Sequence, residues 1–297
     1  MSLPISFDNR DGFIYYNNEF IDWRDAKVHI LNHGLHYASS VFEGTRIYNG
    51  KIFKNHEHNV RLHKSAEYLD FKIPKSAEEI NELCYEICKK NNIVNGYIRP
   101  VAFRGSEQMQ IAASQTSTHF AIAAWSWPSY YSDEAKKIGL RLRVAKYRRP
   151  SPDSAPVHAK AAGLYMICTI SKHEVEKDGF NDALMLDYRG YIAEGTGANF
   201  FAIFDGEIHT PIADCFLNGL TRQNVIKMAK DLGYKLVERH IKLEELANAD
   251  DAFFTGTAAE VTKIGSVTTL DGQRTYEFRG NKISSHLLEK YKELVNG

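Results

Sequence analysis

The chain has 297 residues, enough for one large domain or two. Apolar residues make up 43% and charged residues 25%, proportions of an ordinary globular protein. Its 37 basic and 37 acidic residues cancel, which removes any electrostatic case for nucleic acid or an anionic membrane as partner. No apolar run is long enough to span a bilayer. The first ten residues, M-S-L-P-I-S-F-D-N-R, lack the basic-then-apolar order of a secretory signal. Cys84, Cys88, Cys168 and Cys215 are scattered, which predicts free thiols in a reducing cytoplasm.

In chain order, residues 12–21 alternate as strands and turn at Asn17-Asn18. Asn49-Gly50, between Ile47-Tyr48 and Ile52-Phe53, predicts a second hairpin with a type I′ turn. A helix follows over 56–70 with Leu62, Ala66 and Leu69 inward. Ser76 with Glu79 forms a capping box and opens a helix to about Asn91. Strands then run from Tyr97 to Phe103 and from His119 to Trp125. This order predicts a smaller α+β domain over residues 1–125. Residues 126–136 break both periodicities and read as a connection. A larger domain occupies 137–297, giving an α/β (α+β) chain of two domains.

The second domain opens with a strand from Leu140 to Ala145. The loop R-R-P-S-P-D-S-A-P, with three of the eight prolines, leads into Lys160. A helix is predicted from Lys160 to Lys172, with Leu164, Ile167 and Cys168 on its apolar face. Strands follow at 183–186 and 191–193, then a hairpin over 199–210 turning at Asp205-Gly206. A helix starts at Gly219 and stops at Gly233. Strand 234–239, a short helix at 243–247 and strand 252–255 precede T-G-T-A-A-E-V. A hairpin turning at Asp271-Gly272 and a helix from about Lys282 close the chain.

Four features converge on one chemistry. Lys160 sits among Ala159, Ala161, Ala162 and Gly163, small residues that let another group approach its amine. Desolvating a lysine lowers its pKa and makes it a nucleophile for Schiff-base formation. Glu194 opens E-G-T-G-A-N, a tight stretch that aims an acid inward. Gly219-Leu220-Thr221 begins a helix, whose free amides and dipole suit a phosphate. The small-residue loop Thr255–Ala259 offers further hydroxyls and amides to an anion. Each feature alone has an ordinary structural explanation. Together they suit pyridoxal phosphate, which needs a lysine, an acid at its ring nitrogen and a phosphate cradle.

The chain also resembles the branched-chain amino acid aminotransferases of pyridoxal phosphate fold type IV, over nearly its whole length. The markers are H-Y-A-S-S-V-F-E-G-T-R (36–46), N-V-R-L-H-K-S-A (59–66), Y-I-R-P (97–100), H-A-K-A-A-G-L-Y (158–165), E-G-T-G-A-N (194–199), L-N-G-L-T-R (217–222) and T-G-T-A-A-E-V (255–261). The resemblance implies that Lys160 carries the cofactor and shuttles the proton, and that Glu194 faces the pyridine nitrogen. It implies that Tyr165, five residues on along the same helix, reaches the ring hydroxyl. Arg61, the Leu220 and Thr221 amides and the Thr257 side chain would bind the phosphate. Tyr97 with the Thr257 and Ala258 amides would hold the α-carboxylate. Arg99, helped by Tyr37, would serve the distal carboxylate of glutamate. Phe42, Tyr37 and Tyr130 would line the side-chain pocket.

The implied reaction is amino transfer between leucine, isoleucine or valine and 2-oxoglutarate, in at least a homodimer. One departure stands out. After Y-I-R-P the chain reads V-A-F-R-G-S-E-Q-M-Q-I, where relatives more often carry a glycine-rich loop. Glu107 and Gln108 in this Arg104–Ile111 stretch bear on substrate range. The histidines, including His33, His36, His56 and His58, lack metal-site spacing, and no metal is expected. A D-amino acid transaminase or aminodeoxychorismate lyase would keep Lys160, Glu194 and the cradle. A non-catalytic phosphometabolite carrier would not need Tyr97 and Arg99.

Overall fold

The short turns act as the sequence demands. Asn17-Asn18, Asn49-Gly50 and Asp205-Gly206 all take left-handed backbone, with φ of 47° and 81° at Asn49 and Gly50. Two successive positive φ values match the twist of the flanking strands. The structure, a computed structural model, describes residues 6–127, 130–280 and 282–297. It divides into two compact units, Met1–Pro128 with Ala159–Gly163, and Ser129–His158 with Leu164–Gly297.

The first unit contains β1 (Phe13–Tyr16), β2 (Glu19–Asp22), α1 (His33–Tyr37), β3 (Ser40–Phe42), β4 (Thr45–Tyr48) and β5 (Lys51–Ile52). It continues with α2 (Asn55–Tyr68), α3 (Ala77–Lys90), β6 (Gly96–Arg104) and β7 (Thr118–Ser126). The strands form one sheet in the order β2-β1-β7-β6-β4-β5, with β3 also on β6. The capping box of α3 is present, Ser76 Oγ accepting from the Glu79 amide and Glu79 from the Ser76 amide. Leu62 and Ala66 of α2 and Ile80, Cys84 and Ile87 of α3 pack with Ile98, Ala102 and Ile122 of the sheet. Fully burying each large aliphatic contributes about 1.5–3 kcal/mol. Because strand side chains alternate, Tyr97 and Arg99 leave β6 on the face opposite this core.

The structure corrects the expectation of a helix starting at Lys160, within the domain 137–297. Ala162–Tyr165 form a 3-10 turn, and the helix α5 starts only at Met166. Lys160 does not begin a helix, because the carbonyl a helix would give to Leu164 is already taken. Its N–H donates to Ser65 Oγ at 2.9 Å, its carbonyl accepts from the Phe42 amide at 3.2 Å, and Ala161 bridges Val41. The Ala159–Gly163 segment therefore packs with the first unit.

The second unit contains α4 (Asp133–Ile138), β8 (Leu140–Val144), α5 (Met166–Lys177), β9 (Asp182–Leu186), β10 (Ile192–Gly195), β11 (Asn199–Phe204) and β12 (Glu207–Thr210). It ends with α6 (Leu220–Asp231), β13 (Leu236–Glu238), β14 (Asp251–Gly256), β15 (Glu260–Thr268), β16 (Thr275–Glu277) and α7 (Lys282–Asn296). The stretch 126–136 is not all connection, since Ser132 caps α4 through the Ala135 amide. The sheet runs β10-β9-β8-β15-β14-β11-β12-β13, with β16 on β15. A further pairing of β10 with β11 joins its inner strands into a closed ring. Leu142, Leu184, Phe200, Ala252, Phe254 and Ile264 fill the core. Among the described residues, no helix is long and apolar enough to cross a membrane. All four cysteines are buried free thiols.

Candidate active site

In the first unit the structure gathers Lys160, Phe42, Arg61, Tyr97 and Arg99. The Lys160 ammonium stands 4.9 Å from the Phe42 ring centroid. The Arg99 guanidinium covers the same ring at 4.6 Å and the Tyr97 ring at 5.4 Å. Arg99 Nη2 also approaches the Tyr97 hydroxyl at 3.4 Å. The register explains this grouping. Tyr97 and Arg99 share a face of β6, and β3 places Phe42 opposite Val101 on that face. Burial of its amine pushes the Lys160 pKa below the ordinary lysine value. Glu43 and Tyr97 raise it and Arg61 and Arg99 lower it, so desolvation wins.

Arg61 gives its Nε and Nη2 donors to Glu43, at 2.6 and 2.9 Å. His58, one turn earlier on α2, reaches the same carboxylate at 2.7 Å. Sequence reasoning missed both Glu43 and His58 as site residues. Glu43 stood inside the quoted V-F-E-G stretch, but nothing local told that it points inward. Burial alone pushes its carboxyl up, and Arg61 and His58 outweigh this and hold it well below the usual carboxylate range.

The second unit gathers Glu194, Asn199 and the start of α6. Glu194 pairs with Asn199 across β10 and β11. Asn199 Nδ2 donates to Glu194 Oε2 at 3.1 Å and to the Leu217 carbonyl at 3.0 Å. Its Oδ1 accepts from the Gly219 amide at 3.1 Å. One side chain thus ties the acid to the helix start. Gly219 is required there, because a Cβ would lie 2.3 Å from that Oδ1. As the N-cap, Gly219 brings no side chain to the helix end, so the first-turn amides at Leu220 and Thr221 have no side-chain cap. Arg222 locks the turn from behind, donating to Asn218, the Pro211 carbonyl and Glu238.

Arg149 is the other residue that sequence reasoning missed. Its Nε lies 3.2 Å from Glu194 Oε1, and its Nη1 donates to the Leu164 carbonyl at 3.3 Å. Burial works most strongly against the guanidinium's charge, and Glu194 together with Cys168, Tyr165 and Cys215 outweighs it, raising the Arg149 pKa. Tyr165 ends the 3-10 turn beside this contact and packs on the cluster of Cys168, Val175 and Met185. Thr257 and Ala258 follow β14, whose Thr255 pairs with Asn199. The Gly256 Cα faces the Gly197 carbonyl so closely that a Cβ would sit 3.3 Å from it. The loop therefore borders the E-G-T-G-A-N turn.

Tyr37 and Tyr130 make local contacts within their own units. Tyr37 is exposed on α1 and donates to the Met109 carbonyl at 3.2 Å. Tyr130 meets Tyr131 edge-on at 4.7 Å, and Lys172 lies 5.5 Å from its ring. The departing Arg104–Ile111 stretch is docked on α1, since His33 Nε2 contacts the Gln110 carbonyl at 3.1 Å. His33 and His36 serve local packing, His36 meeting the Ile30 carbonyl at 2.9 Å. Elsewhere Asp187, Asp214 and Cys215 converge, but Arg189 already donates to both carboxylates and offsets part of their charge.

A mixed ring of strands, a desolvated lysine and a buried acid tied to an open helix end define an enzyme of group transfer. The sequence pattern of the class IV amino-transferases matches residues 40–267, and the chain belongs to that family. It is 41% identical to the branched-chain-amino-acid aminotransferase of Pseudomonas aeruginosa, over 99% of this chain and 96% of that protein. The crystal structure of the Escherichia coli branched-chain amino acid aminotransferase superposes with a TM-score of 0.91, at 37% identity, covering 97% and 96% of the two chains. The branched-chain amino acid aminotransferase from Thermobaculum terrenum, in its PLP-bound holo form, gives 0.85 at 28% identity, covering 97% and 94%.

Proposed function

We propose that this chain is a pyridoxal phosphate-dependent aminotransferase that moves the amino group between leucine, isoleucine or valine and 2-oxoglutarate. The observation that carries the reading is Lys160, a desolvated amine whose own backbone is bonded to Ser65 and Phe42. The residues fit the cofactor on two further counts. The helix end at Gly219 is built without a side-chain cap, as an anion cradle needs. Glu194 is buried yet held by Arg149 and Asn199, so a fixed acid is available for a ring nitrogen.

When bound, pyridoxal phosphate supplies an aldehyde for amines and a ring that accepts electrons from the substrate's α-carbon. Lys160 would hold the cofactor, and its amine would take and return the proton at the substrate α-carbon. Its lowered pKa keeps more of the amine in the basic form this task requires. Glu194 would hold the ring nitrogen and Tyr165 the ring hydroxyl. Arg61, the amides of Leu220 and Thr221 and the hydroxyl of Thr257 would hold the phosphate. Tyr97 and the amides of Thr257 and Ala258 take the substrate α-carboxylate. Arg99, with Tyr37, takes the distal carboxylate of glutamate, and Phe42, Tyr37 and Tyr130 exclude water around a branched side chain. The Arg99 guanidinium over Phe42 gives one pocket both a charge and an apolar wall, which suits two substrates of different polarity.

The reading includes a homodimer, or an oligomer of dimers, working in the cytoplasm. The exposed apolar side chains of Val28, Ile30, Leu31 and Leu35 support the association. Sedimentation of the purified chain tests it.

The deciding experiment is the visible spectrum of the protein loaded with pyridoxal phosphate. A band that fades with L-leucine and returns with 2-oxoglutarate is expected. Fading with D-alanine alone would move the activity to D-amino acids. No band after loading would overturn the Lys160 role.

A further inference from the structure

Glu43 follows β3 with none of its side chain exposed. A buried carboxylate is costly unless its oxygens are paired. Oε1 takes Arg61 Nε, and Oε2 takes Arg61 Nη2, His58 Nδ1 and the Gly44 amide at 3.2 Å. His58 and Arg61 are three apart on α2, so one helix face delivers both. Burial disfavours the charged form of His58, so its neutral ring donates Nδ1–H to Glu43. Glu43 directly follows Phe42, whose amide donates to the Lys160 carbonyl at 3.2 Å. The Phe42 ring has the Lys160 amine at 4.9 Å and the Arg99 guanidinium at 4.6 Å. The Glu43 charge therefore stands with those of Arg61 and Arg99 around that amine. The Phe42 ring completes that surround.

We propose that Glu43 is a positioning residue: with His58 it aims the Arg61 guanidinium, and its charge balances Arg61 and Arg99 around the Lys160 amine. The inference rests on the Lys160 and Arg61 roles proposed above. A merely structural ion pair would tie α2 to the loop after β3 and do no more. Positioning makes two further demands. The charge of Glu43 sets where the Lys160 amine titrates. Its length sets where Arg61 stands.

Two substitutions separate charge from length. In Glu43→Gln the charge goes and the reach stays. In Glu43→Asp the charge stays and the reach shortens by one methylene. The full chain without cofactor is acetylated across a pH series, and the Lys160 peptide is followed by mass spectrometry. Pyridoxal phosphate affinity is measured separately by fluorescence titration. For Glu43→Gln the labelling midpoint moves to lower pH by about one unit, because a negative neighbour is lost. For Glu43→Asp the midpoint stays at the wild-type pH, while cofactor affinity falls about tenfold. An unmoved midpoint in Glu43→Gln overturns the charge role. Wild-type affinity in Glu43→Asp overturns the aiming role, and that variant serves alone if Glu43→Gln does not fold. A wild-type chain that takes no cofactor on Lys160, judged by borohydride reduction, would sink the proposed function instead, and the labelling midpoints would still decide the charge role of Glu43.

Discussion

Gly44 and Tyr97 compete for the same space. A Cβ built on Gly44 would lie 1.7 Å from the Tyr97 hydroxyl oxygen and 2.5 Å from its Cζ. The ring cannot retreat, because Trp125 and Trp127 stand behind it at 5.3 and 4.9 Å between centroids. Gly44→Ala should therefore displace the Tyr97 hydroxyl and cost about 1–3 kcal/mol of stability through overpacking. If that hydroxyl holds the α-carboxylate, KM for leucine rises about tenfold while cofactor affinity holds. Urea unfolding and steady-state kinetics check both parts. An unchanged KM would remove Tyr97 from the substrate site.

Lys160→Ala leaves the α-proton without a base. The amino-transfer rate should drop by at least about 10²-fold, and borohydride should no longer fix the cofactor to the chain. Fold is unaffected by this change, since the backbone bonds to Ser65 and Phe42 do not use the side chain. A circular dichroism spectrum like the wild type, with the activity gone, is the expected pair of results.

Asn199 holds Glu194, the Leu217 carbonyl and the Gly219 amide with one amide group. Asn199→Ala unties the acid from the helix start and leaves buried partners unpaired, at about 1–3 kcal/mol. Cofactor affinity should fall about tenfold or more, measured by equilibrium dialysis. Retained affinity would mean that Glu194 and the α6 amides are held in place by Arg149 and Arg222 alone.

His58 and Glu43 both have folded pKa values below their unfolded ones. Below about pH 6.5 the unfolded chain takes a proton at His58 that the folded chain refuses. Stability therefore falls with pH, by up to about 1.4 kcal/mol per pH unit for this one group. Glu43 adds a similar slope only below about pH 4.3, where the unfolded carboxylate protonates. His58→Gln should flatten urea stability between about pH 6.5 and pH 4.5 relative to wild type. An unflattened slope would assign the effect to His63 and His209, whose pKa values are also lowered.

Much of the fold was legible because its signals are local. The turns at Asn49-Gly50 and Asp205-Gly206 need positive φ, and the Ser76–Glu79 box satisfies two amides within four residues. The small helix α1 leaves no readable signal, because five residues carry too little periodicity. The misplaced start of the Lys160 helix has a different cause. Apolar spacing from Leu164 onward looks helical, but Ser65 and Phe42, distant in sequence, claim the backbone of Lys160.

The same division holds at the site. By itself the sequence determined the chemical inventory: one lysine among small residues, one acid in a glycine-rich stretch, one uncapped helix start. Those are statements about residue types and near neighbours, which a chain carries in its order. Which groups balance them was decided only by tertiary structure. Glu43 meets Arg61 across 18 positions, and Asn199 meets Gly219 across 20. The sheet and helices bring these partners together, and only burial, by removing water, makes their charges act on one another at full strength.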